Sequence, residues 1–305
     1  MEDVLIIGGG PAGYTAALYC ARANLQTTVI EKMAPGGQMG TTDQIDNYPG
    51  FPEGIGGFDL ALQMQKGAER FGTKTVMADV QEVRLAEPVK RIITANETLE
   101  AKSVILAMGA YPRELGLPNE QSLRGRGVSY CATCDGMFYR GKTVAVIGGG
   151  DTAAADAVYL SKIAKKVYIV HRRDELRASK SYVKPLESAE NVEFIWNSTV
   201  QEIFADPKVS VARLLDKQTQ QVTELAIDGL FVAVGNIPNT GLLKGQIDLD
   251  ERGYVAADES TRTNCAGVYA VGDLRAKPLR QVITAASDGA VAAYFAEEYL
   301  SQLDI

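Results

Sequence analysis

One pattern occurs twice in this chain and governs what it can fold into: an apolar strand, a glycine-rich turn, a helix and a second apolar strand. The first copy runs Asp3-Val4-Leu5-Ile6-Ile7 into Gly8-Gly9-Gly10-Pro11-Ala12-Gly13, then a helical stretch to about Asn24 and a strand from Thr27 to Ile30 closed by Glu31. The second runs Thr143-Val144-Ala145-Val146-Ile147 into Gly148-Gly149-Gly150-Asp151-Thr152-Ala153. A helix to about Ile163, a strand from Lys166 to Val170 and His171-Arg172-Arg173 complete it. Continuous β-branched runs are the mark of buried parallel strands, so each copy predicts a βαβ unit opening a doubly wound sheet. In such turns one glycine allows the tight bend and one lets the backbone approach a pyrophosphate. The last small residue lets helix and strand pack closely, with the phosphates at the helix N-terminus. A single motif of this kind is weak evidence; two, each in strand–turn–helix–strand order, predict two dinucleotide sites.

The repeat continues downstream. Val104-Ile105-Leu106-Ala107-Met108-Gly109 matches Leu230-Phe231-Val232-Ala233-Val234-Gly235, and both strands end at a glycine, Gly109 and Gly235, where the backbone can pass near a nucleotide. The tail supplies Gly267-Val268-Tyr269-Ala270-Val271-Gly272-Asp273 and a helix from about Arg280. The second unit starts after a late strand of the first. The expected fold is therefore α/β, with two Rossmann-like three-layer dinucleotide-binding domains, the second inserted into the first. The outer domain would comprise residues 1–111 and 242–305, and the inserted one residues 112–241. The crossings fall near Tyr111-Pro112 and Asn239-Thr240-Gly241, which are rich in turn formers.

Composition narrows the function. A net charge of −7 disfavours a nucleic-acid partner, which calls for a basic face. No apolar run approaches the roughly 18 residues of a membrane span. The chain opens Met1-Glu2-Asp3 directly into a strand, with no basic leader, and is read as cytoplasmic. His171 is the single histidine, so it cannot build a multi-histidine metal site alone.

The strand ends suggest which nucleotide goes where. Glu31 can accept hydrogen bonds from free ribose hydroxyls and would repel a 2′-phosphate. His171-Arg172-Arg173, with Arg177 four residues later, can pair with a 2′-phosphate and favours NADPH. The plainer alternative is a solvated basic turn, partly neutralised by Asp174 and Glu175. The first site then suits a flavin. Asp273 either binds sugar or ribityl hydroxyls or is a turn aspartate. The Pro35-Gly36-Gly37-Gln38 loop either approaches the cofactor or is a flexible turn, and those readings stand level.

Four cysteines are too few for a disulfide scaffold, and Cys131-Ala132-Thr133-Cys134 holds two of them. A C-x-x-C pair can cycle between dithiol and disulfide, or form half a zinc site. Zinc takes four ligands, and no second C-x-x-C or histidine pair exists, so no metal is expected. Cys20 and Cys265 read as packed cysteines. Asp135, directly after Cys134, either holds a proton for thiol–disulfide exchange or is a turn aspartate before Gly136.

Together these motifs, with Asp46-Asn47-Tyr48-Pro49-Gly50 and Arg280-Gln281, make the chain resemble the low-molecular-weight, bacterial-type thioredoxin reductases, class II pyridine nucleotide-disulfide oxidoreductases, over essentially its whole length. The resemblance implies a homodimer, with FAD in the interrupted domain and NADPH in the inserted one. It implies an electron path from NADPH through FAD to a Cys131–Cys134 disulfide and on to thioredoxin. It also implies that Cys134 faces the flavin, Cys131 attacks thioredoxin and Asp135 donates the proton. Gln38, Asn47, Asp273, Arg280 and Gln281 match positions around the flavin. One flavin must then serve the nucleotide and the disulfide in turn, so the inserted domain is expected to rotate about the two crossings. Three departures stand out: Ala155 replaces the first of an acidic pair whose second member is Asp156, Met137-Phe138 replaces two aromatics, and Asp174 and Glu175 flank the arginines. The alternative within the fold is a flavin disulfide reductase with a ferredoxin donor or a peroxiredoxin- or glutaredoxin-like acceptor. The intact second glycine motif and its arginines argue against ferredoxin.

Overall fold

The computed structural model describes residues 1–303; residues 304 and 305 of the expected outer domain lie outside the described residues. In chain order the elements begin β1 (Glu2–Ile7), α1 (Pro11–Arg22), β2 (Thr27–Glu31), α2 (Gly57–Glu69) and β3 (Lys74–Met77). Next come β4 (Val80–Arg84), β5 (Lys90–Thr94), β6 (Thr98–Leu106) and the short β7 (Ala110–Pro112). There follow β8 (Val128–Ser129), α3 (Ala132–Asp135), β9 (Thr143–Ile147), α4 (Asp151–Ser161), β10 (Lys166–Val170), α5 (Lys180–Glu187) and β11 (Val192–Ile195). Then come β12 (Ser198–Ala205), β13 (Val209–Asp216), β14 (Val222–Ala226), β15 (Gly229–Val232) and β16 (Asn236–Pro238). The chain closes with β17 (Val268–Ala270) and α6 (Val282–Leu303).

These elements form two compact units, Met1–Tyr111 with the chain from Ile237 onward, and Pro112–Asn236. The return crossing thus comes before the boundary at 241 suggested by the turn formers. Asn239 N–H and Nδ2 donate to the Gly109 and Met108 carbonyls, so the chain has rejoined the outer unit by Asn239.

In the outer unit the sheet order is β3-β2-β1-β6-β5-β4, with β17 also pairing with β6. The nine-residue β6 serves two partners on one edge. Its first half pairs antiparallel with β5 and its second half, Val104–Leu106, parallel with β17. The inserted unit has a five-stranded parallel sheet, β11-β10-β9-β15-β8, and a separate antiparallel β12-β13-β14 meander. Its leading order, β11-β10-β9-β15, repeats β3-β2-β1-β6, so the sequence repeat is a repeat of topology. Each β1-type strand is central and buried: Val4 to Ile6 and Val144 to Val146 are fully inaccessible. The valine, leucine and isoleucine side chains so placed contribute about 1.5–3 kcal/mol each through burial.

Helix composition follows from packing. α6 lies against α1 with Ala285, Ala292, Ala293 and Ala296 buried between them. At Gly289 an added Cβ would stand 2.2 Å from the Ala12 carbonyl oxygen. The run of small residues therefore reflects a close helix–helix approach, and it draws the tail of the chain onto the first glycine turn.

Candidate active site

In the outer unit the first glycine turn is shaped from below and open above. Gly8 has φ +105°, and a Cβ there would meet the Ala107 carbonyl oxygen at 2.5 Å. A Cβ on Gly13 would lie 1.9 Å from the Gly8 carbonyl oxygen. Over Gly10, by contrast, the nearest atom to an added Cβ is the Gly36 carbonyl oxygen at 4.0 Å. No side chain caps α1, and Pro11 occupies its first turn. Uncapped helical N–H groups facing an open cradle are suited to a diphosphate. Gly272, with φ +66°, meets Ala12 from the other side, where an added Cβ would stand 3.1 Å from the Ala12 methyl.

Some of the remaining outer-unit residues are tied to this turn, and others pair with one another. Gly36 N–H donates to the Gly9 carbonyl at 2.7 Å, which brings Gly37 and Gln38 beside it. Glu31 Oε2 accepts the Gly9 N–H at 2.7 Å, while Oε1 accepts the Lys32 and Met33 N–H groups. The carboxylate expected to face a ribose is thus also the clasp that ties the strand end to the turn. Asn47 Nδ2 donates to Gln281 Oε1 at 2.9 Å, joining two residues far apart in sequence. The Arg280 guanidinium lies 4.1 Å from the Tyr254 ring centroid, and its buried Nε has no hydrogen-bond partner. Asp273 is half-buried and accepts no hydrogen bond from any described residue. Burial pushes its pKa up, against the opposing pull of Arg280 and Lys277. Gly109 follows β6 with φ +63° and open space around it. The open cradle, the uncapped helix and the unpartnered Asp273 and Arg280 Nε fit a flavin dinucleotide.

The inserted unit repeats the arrangement. Gly148 has φ +154°, and a Cβ there would meet the Ala233 carbonyl oxygen at 2.4 Å, while Gly150 faces open space and no side chain caps α4. Ala153 is buried beneath Gly148 and packs against the turn, in the place that Gly13 holds in the first copy. Asp151 Oδ1 accepts the Ser179 N–H at 2.7 Å, and Thr152 is exposed beside it. Gly149 must be glycine for a different reason: a Cβ would lie 2.1 Å from the His171 ring. His171 is 4% exposed and its Nε2 has no partner. Burial, then Arg177, Arg172 and Arg173, push its pKa down. The Arg177 N–H donates to the Gly149 carbonyl at 2.7 Å, drawing that arginine to the turn. Arg172, Arg173 and Arg177 are exposed and form no ion pair among the described residues, and neither do Asp174 and Glu175. A free cationic trio at this strand end fits a phosphorylated ribose. Gly235, with φ +109°, follows β15 with nothing near an added Cβ.

In the same unit β8 leads into α3, and Cys131 stands at the N-cap of that short helix. Cys131 and Cys134 are joined by a disulfide, with Cα atoms 5.3 Å apart. The Cys134 N–H donates to Cys131 Sγ at 3.2 Å. Ser129 hydroxyl donates to Asp135 Oδ2 at 2.6 Å and accepts the Cys131 N–H at 3.1 Å. Ser129, absent from the sequence-based set, therefore connects the proposed proton carrier to the cysteine turn; nothing in its sequence position marks it. Gly136 is required because a Cβ would lie 2.7 Å from the Tyr159 ring of α4. Met137 and Phe138 are each 49% exposed. Cys20 is buried and Cys265 half-buried, both as free thiols in the outer unit. Among the described residues no group of three or more His, Cys, Asp or Glu could hold a metal ion, and no helix is long and apolar enough to cross a membrane.

Two glycine cradles and a disulfide on one chain define a flavin- and pyridine-nucleotide-linked class. The chain belongs to the pyridine nucleotide-disulphide oxidoreductase family, whose pattern matches residues 2–289. Its full-length relatives are thioredoxin reductases. That of Mycolicibacterium smegmatis is 46% identical over 305 residues, covering 100% of this chain and 98% of the relative. That of Streptomyces clavuligerus is 48% identical over 99% of this chain and 95% of its own. The crystal structure of the Streptococcus pyogenes thioredoxin reductase superposes with a TM-score of 0.92 at 45% identity, covering 99% of both chains.

Proposed function

We propose that this chain is an NADPH-dependent thioredoxin reductase, with FAD in the outer cradle and NADPH in the inserted one. The observation that carries the reading is the Cys131–Cys134 disulfide, placed in the unit that also holds the second glycine turn and the free arginines. Full-length relatives bearing that name support it. Bound flavin would supply the two-electron relay between nicotinamide and disulfide.

The chain's own residues do the rest. The outer turn and the loops carrying Gln38, Asn47, Asp273, Arg280 and Gln281 hold the flavin dinucleotide. Gly148–Ala153 takes the NADPH diphosphate, and Arg172, Arg173 and Arg177 its 2′-phosphate. Cys134 receives the electron pair, which frees Cys131 as the thiolate that attacks the thioredoxin disulfide. The Cys134 N–H, directed at Cys131 Sγ, favours negative charge on that sulfur. Asp135, steadied by Ser129, holds the proton that completes the dithiol. A cytoplasmic homodimer belongs to the same reading and rests on the resemblance. Met137 and Phe138 form part of the surface offered to the partner protein.

The division of labour between the sulfurs can be trapped. Cys134→Ser, mixed with oxidised thioredoxin, should accumulate a disulfide-linked adduct through Cys131, visible on a non-reducing gel. Cys131→Ser should give none. The reverse pattern would exchange the two assignments.

A further inference from the structure

One buried charged cluster remains outside the residues used so far, between α6 and the segment that carries Asp273. Asp288 of α6 is 5% exposed and its carboxylate accepts four hydrogen bonds. Oδ2 takes the Gly272 N–H at 2.9 Å, Arg275 Nε at 2.9 Å and Lys277 Nζ at 2.8 Å. Oδ1 takes Arg275 Nη2 at 2.9 Å. Arg275 is 2% exposed and the Lys277 side chain 5%. Beyond them, Arg280 Nη2 donates to the Arg275 carbonyl at 3.3 Å, and the Gln281 N–H to Thr284 Oγ1 at 3.1 Å. A single carboxylate therefore fastens the start and middle of the Gly272–Gln281 segment to a helix.

We propose that Asp288 is the positioning residue of this segment: by holding Gly272, Arg275 and Lys277 it presets Asp273 and Arg280 to receive the flavin. This rests on the reading that the flavin binds in the outer cradle. Burying two cations against one anion does not strengthen a fold over well-packed apolar residues, so the cluster calls for another purpose. The purpose lies next door. Asp273 has no protein hydrogen bond to orient it. Its place is set by its backbone, whose first residue, Gly272, is held at φ +66° by Asp288. Charge agrees with geometry. Burial pushes the Asp288 pKa up, but the hydrogen bonds from Arg275 and Lys277 outweigh it and hold the carboxyl below its ordinary range. At Asp273 burial and the Asp288 charge push the pKa up, while Arg280 and Lys277 pull it towards the ionised, accepting form, and Lys277 is one of the cations that Asp288 holds in place.

The test is a double-substitution cycle on FAD affinity, measured by titrating the full-length apoprotein with FAD and following flavin fluorescence. Titrations are run well below the unfolding temperature of each variant. Asp273→Asn and Asp288→Asn should each weaken FAD on the order of ten- to a hundredfold, the range of one lost hydrogen bond to a charged group. The double variant should bind little worse than the weaker single one, because Asp288 acts through Asp273. Lys277→Gln, which leaves the Arg275–Asp288 pair intact, should show a smaller loss and covers the case in which Asp288→Asn does not fold. The inference is overturned if Asp273→Asn weakens FAD while Asp288→Asn and Lys277→Gln bind it normally, or if the losses add in full. Normal FAD binding by Asp273→Asn would instead remove the flavin-site reading, and the inference with it.

Discussion

Asp156 sits half-buried on α4, whose flank packs against the cysteine turn, and its carboxyl pKa is pushed up to about 7. Burial is the cause, only partly offset by a hydrogen bond from the Ala132 backbone. The folded chain thus holds this proton more tightly than the unfolded chain does. The resulting stabilisation is complete below the ordinary carboxylate range near pH 4 and is lost as pH rises towards about 7. Above that, folding keeps an anion out of water. Asp156→Asn should therefore raise the midpoint of thermal unfolding at pH 8 and lose that advantage at pH 4. A lower midpoint at pH 8 would mean that the carboxylate has a compensating partner. At this scale the sequence was least complete. Glu31 was legible as a strand-end acid, but its bond to the Gly9 N–H depends on how the turn curls back. Ser129 had no signature at all, because a strand-end serine becomes significant only when Asp135 is placed beside it.

At the end of β10 the three arginines matter as a set. Asp174 and Glu175, close in sequence, do not engage them, so their charge is available to a ligand. Replacing Arg172 and Arg173 together with glutamine should raise KM for NADPH by at least about tenfold, the cost of losing charge-assisted hydrogen bonds, while KM for NADH changes little. Steady-state kinetics with both nucleotides checks this; an equal rise for NADH would place the 2′-phosphate elsewhere. Elements of this kind were readable because a buried parallel strand and its glycine turn constrain neighbouring residues. The β12–β14 meander and the one-turn α3 carry no such periodic signal. Asn239-Thr240-Gly241 reads as a boundary in the sequence, whereas Asn239 is already bonded to the Gly109 and Met108 carbonyls of the outer unit. Asp288 carries no signal in the sequence, because an aspartate amid alanines on a helix shows its partners only once α6 is docked.

Across the whole molecule, the repeat yields two units with the same leading strand order, one offering a cradle suited to a flavin and the other a cradle with free arginines and the disulfide. On the proposed function, a single flavin exchanges electrons with two groups that both belong to the inserted unit. We infer that this unit turns about the crossings between half-reactions. Tying the two units with a short cross-linker should stop turnover yet spare one half-reaction in stopped flow; full speed in both would refute the rotation. The central claim is that Cys131–Cys134 is a second redox centre in series with the flavin, and anaerobic titration with NADPH tests it most directly. The account predicts that four electrons are taken up per flavin by the unsubstituted protein and two by Cys134→Ser. An uptake of two by the unsubstituted protein would contradict it.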